Sequence, residues 1–205
     1  MNHKQNQLGR SMIEMLGVLA IVGILSVGGI KGLQKAIHSY RYNKTFDQWA
    51  QIIPAVDNYV KQLKKRNRFK APQHDVYLKS MLKRTKVIPP EMIKENSGYI
   101  YDALNNVIGI YHHTSNYIGF SVWGEGYKKD FYDICRLSLT FGRQYYKTAD
   151  VYFYKNFSQG VGSFKSDHHC TSSNCLKDLD ETKIIKFCTE WQDVEQPRAI
   201  IVWRS

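Results

Sequence analysis

Apolar and polar positions divide the chain into unlike stretches. The run MLGVLAIVGILSVGGI, from Met15 to Ile30, holds no charged residue. Extended to Met12 and Leu33 it covers 22 residues, with Glu14 and Lys31 as its only charges. About 20 apolar residues cross a bilayer as a helix. The stretch therefore predicts one membrane segment near the N-terminus and a soluble remainder. After Lys31 the pattern stays helical but becomes one-sided. Phe46, Trp49, Ile53, Val56, Val60 and Leu63 recur at steps of three and four, with Asn58, Lys61, Lys64 and Lys65 opposite. That is an amphipathic helix. Pro54 lies inside it and predicts a kink or break near Ile53. A helix from Met12 to Arg66 would measure roughly 80 Å at 1.5 Å per residue.

Beyond the helix the periods shorten. Val76–Arg84 predicts a short helix. Pro89-Pro90 predicts an extended entry, with Pro90 suited to open a new turn. Val107–Tyr111 and Tyr117–Trp123 alternate well enough to form a hairpin, with His112 to Asn116 as an exposed loop carrying His112-His113. Ser158–Ser163 is Gly-rich and lacks the Lys and strand-helix context of a phosphate cradle, so it predicts a surface loop.

Composition narrows the class. The chain has 205 residues, enough for one domain or one domain plus an appendage. Charged residues at 23% and aromatics at 13% exclude a disordered chain and a multi-span membrane protein. The net charge of +11 is uneven: residues 31–94 carry 15 basic and 4 acidic residues, whereas 95–205 carry 12 and 13. Two basic clusters stand out, Lys64 to Lys70 and Lys79, Lys83, Arg84 and Lys86. They fit a nucleic-acid or anionic surface contact, or simply a solvated face. No nucleic-acid motif or stacking array accompanies them. There is no P-loop, GxSxG, HExxH or dinucleotide fingerprint. The sequence thus presents no catalytic residues and calls for no cofactor.

Hydropathy alone leaves three readings of the N-terminus open. One is a secretory signal peptide, with Lys4 and Arg10 as its basic region and Ser26-Val27-Gly28 as a small-x-small cleavage site. The second is a permanent anchor. The third is a leader followed by the first helix of a filament subunit. Glu14 separates them. A carboxylate in a membrane helix costs roughly 2.5–3.5 kcal/mol at the bilayer centre, so such an acid points to function and needs a partner.

The stretch Gly9-Arg10-Ser11-Met12-Ile13-Glu14-Met15-Leu16 resembles the type IV pilin signature. In that family a prepilin peptidase cuts after a Gly, and a Glu occupies the fifth mature position. The resemblance implies cleavage between Gly9 and Arg10 and makes Glu14 that Glu. The leader MNHKQNQLG is short, polar and basic, as in the family. Cleavage frees an α-amine on Arg10. Glu14 lies four residues on, one helical turn away, placed to neutralise such an amine on its own or a neighbouring subunit. One residue departs from the pattern: the first mature position is commonly Phe, Met or Leu and is N-methylated, but here it is Arg10. Gly17, Ala20, Gly23, Gly28 and Gly32 allow close helix packing, Gly28-x-x-x-Gly32 being a small-xxx-small pair.

The order of later features resembles type IVb pilins, including the conjugative thin-pilus group. Ile88-Pro89-x-x-Met92 precedes an Asn/Gly-rich entry to a strand. A second strand follows, then Cys135 within Phe131–Leu139, placed on a helix. Ala199–Trp203 forms a last strand after Cys188. The resemblance implies an α+β fold, a long N-terminal membrane-spanning helix packed on an antiparallel β-sheet head. It divides the chain into a leader (1–9), a transmembrane and filament-core half-helix (10–33), an amphipathic half-helix (34–66) and a globular head (67–205). It further implies a homo-oligomeric pilus filament, the prepilin peptidase and inner-membrane assembly machinery as partners, and a path from the bacterial inner membrane to an extracellular pilus. A secretion pseudopilin, or a membrane-anchored binding protein that never polymerises, is the alternative.

Four cysteines, at 135, 170, 175 and 188, allow three pairings. A head sent across a membrane enters an oxidising compartment, where disulfides persist. The resemblance favours Cys135–Cys188, which leaves Cys170–Cys175. The rival is a metal site at His168-His169-Cys170-x4-Cys175, with two imidazoles and two thiols of zinc-binding type.

Overall fold

The computed structural model describes residues 5–66, 76–94, 99–113, 117–124, 131–145, 147–156, 158–171, 173–190 and 196–204. Helix α1 spans Gln5–Lys65. The chain divides into two units, Met1–Arg41 and Tyr42–Ser205. The first contributes α1 up to Arg41, where the apolar side chains that are described, from Met12 on, are exposed. The second is an α+β head.

In the head, the last part of α1 buries Trp49, Ile52, Ile53, Val56 and Val60. The helix runs through Pro54 without a break. Proline inside a helix costs about 3 kcal/mol, whereas each fully buried Val or Ile contributes about 1.5–3 kcal/mol. The buried residues on both sides of Pro54 outweigh the lost hydrogen bond, and Pro54 itself faces solvent.

β1 (Val76–Tyr77) and α2 (Lys79–Arg84) come next. The expected helix over Val76–Arg84 therefore loses its first two residues to a strand. Val76 and Tyr77 pair with His112 and Tyr111, and sheet pairing overrides local helix preference. A 3-10 turn at Pro90–Met92 follows an extended Pro89. Then come β2 (Ile100–Tyr101), β3 (Asn106–His112), β4 (Tyr117–Gly124), α3 (Phe131–Gln144), β5 (Ala149–Lys155), β6 (Gln159–Phe164), α4 (Glu181–Glu190) and β7 (Arg198–Arg204).

The seven strands form one antiparallel sheet in the order β1-β3-β4-β7-β5-β6, with β2 also paired to β3. The expected hairpin is β3–β4, with Ile110 opposite Phe120. Strand β7 lies between β4 and β5 and joins the hairpin to the β5–β6 pair. Period-2 alternation gives the sheet an inner face of Ile108, Ile110, Phe120, Val122, Val151, Phe153, Ala199 and Ile201. Trp49 of α1 meets Phe120 edge-on at 5.2 Å, and Phe141 of α3 stands 6.5 Å from Trp49. Gly142 lets α3 approach β5, because a Cβ there would collide with Val151.

Two loop expectations are corrected. His112 is not exposed: it ends β3 opposite Ile118 and is fully buried, on the same side as Ile108 and Ile110. Only His113 of the pair is exposed. The Gly-rich stretch Ser158–Ser163 is mostly strand β6, the sheet's edge. One of its glycines serves packing: Gly162 leaves room for the Phe187 ring of α4, which also meets Phe164 edge-on at 4.9 Å.

Candidate functional site

The first unit carries its chemistry in the segment Met12–Leu33. Its apolar side chains lie exposed along the helix, Met12 at 72%, Leu19 at 65% and Ile24 at 74%. A window of mean hydropathy 2.2 within the helix has none of its residues buried inside the chain. Eleven Leu, Ile and Val residues lie between Met12 and Leu33. At about 0.3–0.6 kcal/mol each in favour of insertion at the helix centre, they give roughly 3–7 kcal/mol. That is enough to carry one acid near the segment's end. Ser26 is the one polar side chain from Met15 to Ile30, and its hydroxyl donates to the Val22 carbonyl at 2.7 Å. The hydroxyl is thus satisfied within the helix, as hydrocarbon requires. Gly17, Gly23, Gly28 and Gly32 have nothing of the chain near the position of a Cβ. They leave open notches along the helix, of the kind that permits close helix approach in membranes.

Glu14 is exposed in the first turns of that segment. Gly9 and Arg10 belong to the backbone of the same helix, Gln5–Lys65. Met1–Lys4 of the expected leader and Asn67–Lys70 of the first basic cluster lie outside the described residues. In the second cluster, Lys83, Arg84 and Lys86 are exposed.

In the head, Cys135 of α3 and Cys188 of α4 form a disulfide, 53 residues apart, with both residues fully buried. It crosslinks two helices whose link is repeated at the surface. There Arg136 donates from Nε and Nη2 to Glu181 Oε1, at 3.0 and 2.6 Å. Cys170 and Cys175 form the second disulfide, five residues apart. Their thiols are therefore spent on each other. Among the described residues no group of three or more His, Cys, Asp and Glu side chains is placed to hold a metal ion.

The sequence reading missed three polar features of the head. Thr45 and Gln48 are buried on α1 and face the turn before β3. Gln48 Oε1 accepts from the Ala103 N–H at 2.9 Å, and Thr45 Oγ1 accepts from the Leu104 N–H at 3.1 Å. That turn is built on Asp102, whose carboxylate accepts from the N–H and the side-chain amide of Asn106 at 2.8 and 2.9 Å. Asn105 supplies the left-handed residue, φ 64°, which Asn tolerates well. The signal was present: Thr45 and Gln48 sit on the helical face continued by Trp49, Ile52 and Val56, and polar residues on a buried face demand partners. The third feature is Tyr42, whose phenol is pushed up to about 12, mainly by burial and against the nearby Arg136 guanidinium. That guanidinium carbon stands 5.4 Å from the Tyr42 ring centre.

Comparison of the chain with protein-family models, curated proteins and solved structures gives no match.

Proposed function

We propose that this chain is a structural subunit of a type IV pilus, of the type IVb or conjugative thin-pilus kind. In this reading it enters the inner membrane through Met12–Leu33, is cut by a prepilin peptidase between Gly9 and Arg10, and polymerises through its N-terminal helix. The observation that carries the reading is the long apolar segment with a single acid near its start. Among the described residues its apolar side chains are exposed, and bilayer or neighbouring copies would cover them. Glu14 then has a function that a plain anchor does not need. In a filament core its carboxylate meets the amine freed on Arg10 of a neighbouring subunit. Charge neutralisation at low dielectric sets the register of the incoming helix. The notches at Gly28 and Gly32 let the helices close on one another.

The head supports the same reading. A surface displayed outside the cell must survive without chaperones, and two disulfides stabilise it in an oxidising compartment. The test is Glu14→Ala in cells that make the assembly machinery. We expect the variant to insert in the membrane at wild-type levels and to be missing from sheared filaments. Normal incorporation of Glu14→Ala would remove the proposed role of the acid and leave a tethered ectodomain.

A further inference from the structure

The outer face of the head's sheet, turned away from α1 and α3, holds a cavity of about 460 Å³. That lies within the roughly 300–1,000 Å³ typical of small-ligand sites. Nothing in the filament reading uses it. Its floor is apolar: Ile200 and Val202 of β7, and the Tyr111 ring lying across Gly119. Tyr111 and Gly119 are register partners, and any side chain at Gly119 would collide with that ring. Tyr117, Tyr152 and Tyr154 add aromatic walls.

One side of the cavity is a fixed polar cluster around Asp150. Its Oδ1 accepts from the Ser166 N–H at 2.7 Å. Its Oδ2 lies 3.3 Å from His169 Nδ1 and 3.8 Å from Lys165 Nζ. Lys165 Nζ also donates to the Tyr152 hydroxyl at 2.5 Å. The loop bearing Lys165, Ser166 and His169 is held in place by its own bonds. Lys165 N–H donates to the Asn174 carbonyl, Leu176 N–H donates to the Lys165 carbonyl, and Cys170–Cys175 closes the loop between them. The short disulfide thus lies in the loop that meets β5 through the Ser166–Asp150 hydrogen bond.

We propose that this cavity is a binding site for a neutral saccharide ring. Charge decides the class. The carboxylate and the ammonium are paired with each other, so the site offers no net fixed charge from them. A cationic ligand would meet Lys165, which already stands 3.8 Å from the Tyr152 ring centre and occupies the cation position that such an aromatic group offers. A phosphate or carboxylate would find Lys165 already engaged by Asp150 and the Tyr152 hydroxyl, and would lie against the Asp150 carboxylate, an acceptor with nothing to donate. A ligand that suits both must donate and accept at neighbouring positions and remain uncharged. Hydroxyl groups do this, and so do the phenols that line the walls. The flat floor and aromatic walls require a ring with an apolar face, and a sugar ring presents C–H groups on its face and hydroxyls at its edge. The site lies in the head alone and stands whether or not the chain polymerises.

Saturation-transfer NMR on the full chain, in a zwitterionic detergent without a sugar headgroup, tests this. The probes are methyl glucoside, methyl galactoside and N-acetylglucosamine, with glucuronate, glucosamine and AMP as charged competitors. At least one neutral sugar should bind with about millimolar affinity and more tightly than its charged analogues and AMP. Tyr117→Ala should weaken it about tenfold or more while the urea unfolding transition stays cooperative. Asp150→Asn retains an acceptor for Ser166 but removes the counter-charge of Lys165, and it should shift preference toward glucuronate. The proposal is overturned if no neutral sugar binds, if AMP or glucuronate binds the wild type as tightly, or if preference is unchanged in Asp150→Asn.

Discussion

Removing the two disulfides separately should have unequal consequences, and the structure sets the ratio. Crosslinks stabilise a fold largely by restricting the unfolded chain, and the restriction grows with the loop closed. Cys135 and Cys188 are 53 residues apart, whereas Cys170 and Cys175 are five apart. In the chain-entropy model those loops correspond to about 4 and about 2 kcal/mol at 25 °C. Burial widens the difference. Cys135 and Cys188 are fully buried between α3 and α4, so alanine at both sites also loses packing. The perturbation is Cys135→Ala with Cys188→Ala, compared with Cys170→Ala and Cys175→Ala in the full-length chain. Urea unfolding in detergent, followed by tryptophan fluorescence, reads the head, since Trp49 is fully buried there. We expect the first pair to lose about 2 kcal/mol more than the second, with similar denaturant slopes. Equal losses, or a greater loss from the short loop, would refute the reasoning that the long loop and the α3–α4 junction carry the head's covalent stability.

Two further outcomes follow from buried polar groups. Thr45→Val keeps the shape of the side chain but deprives the Leu104 N–H of its acceptor, and Gln48→Leu does the same to Ala103. Each should cost about 1–3 kcal/mol in urea unfolding, with little change in membrane insertion. Tyr42 gives a pH signature. Its folded-state value of about 12 stands above the ordinary 10.0, so the folded state holds the phenol proton more tightly than the unfolded state does. That contribution is complete below pH 10 and is lost as pH rises through 12, at most about 2–3 kcal/mol. Tyr42→Phe should lack this component, and the gap in unfolding free energy between wild type and variant should change between about pH 9 and pH 11.

Much of the architecture was legible where periodicity was long. The step-of-three-and-four face from Trp49 to Val60 is the buried face of α1, and the alternating runs around Ile110 and Phe120 are a paired hairpin. Pro54 does not break the helix, because its local cost is smaller than the burial on either side of it. Val76-Tyr77 misled because its strand partner, Tyr111 and His112, lies some 35 residues on, beyond the reach of local preference. The stretch Gln159–Phe164 looked like loop because its glycines have no side chains to show a period. The room beside Gly162 is taken by Phe187, a contact between distant residues. The Asp150 cluster was illegible for the same reason: its members come from β5 and from the loop after β6, and only the sheet brings them to Tyr117 and Tyr111 from the hairpin.

A pilin of this kind begins, once processed, at Arg10 and assembles through the helix that follows. The most direct measurement is the N-terminal residue of the chain recovered from filaments of cells with an active prepilin peptidase. Sequencing or intact mass should give a polypeptide starting at Arg10, with residues 1–9 removed. A filament-borne chain that starts at Met1, or a chain cut instead after Gly28, would contradict the account.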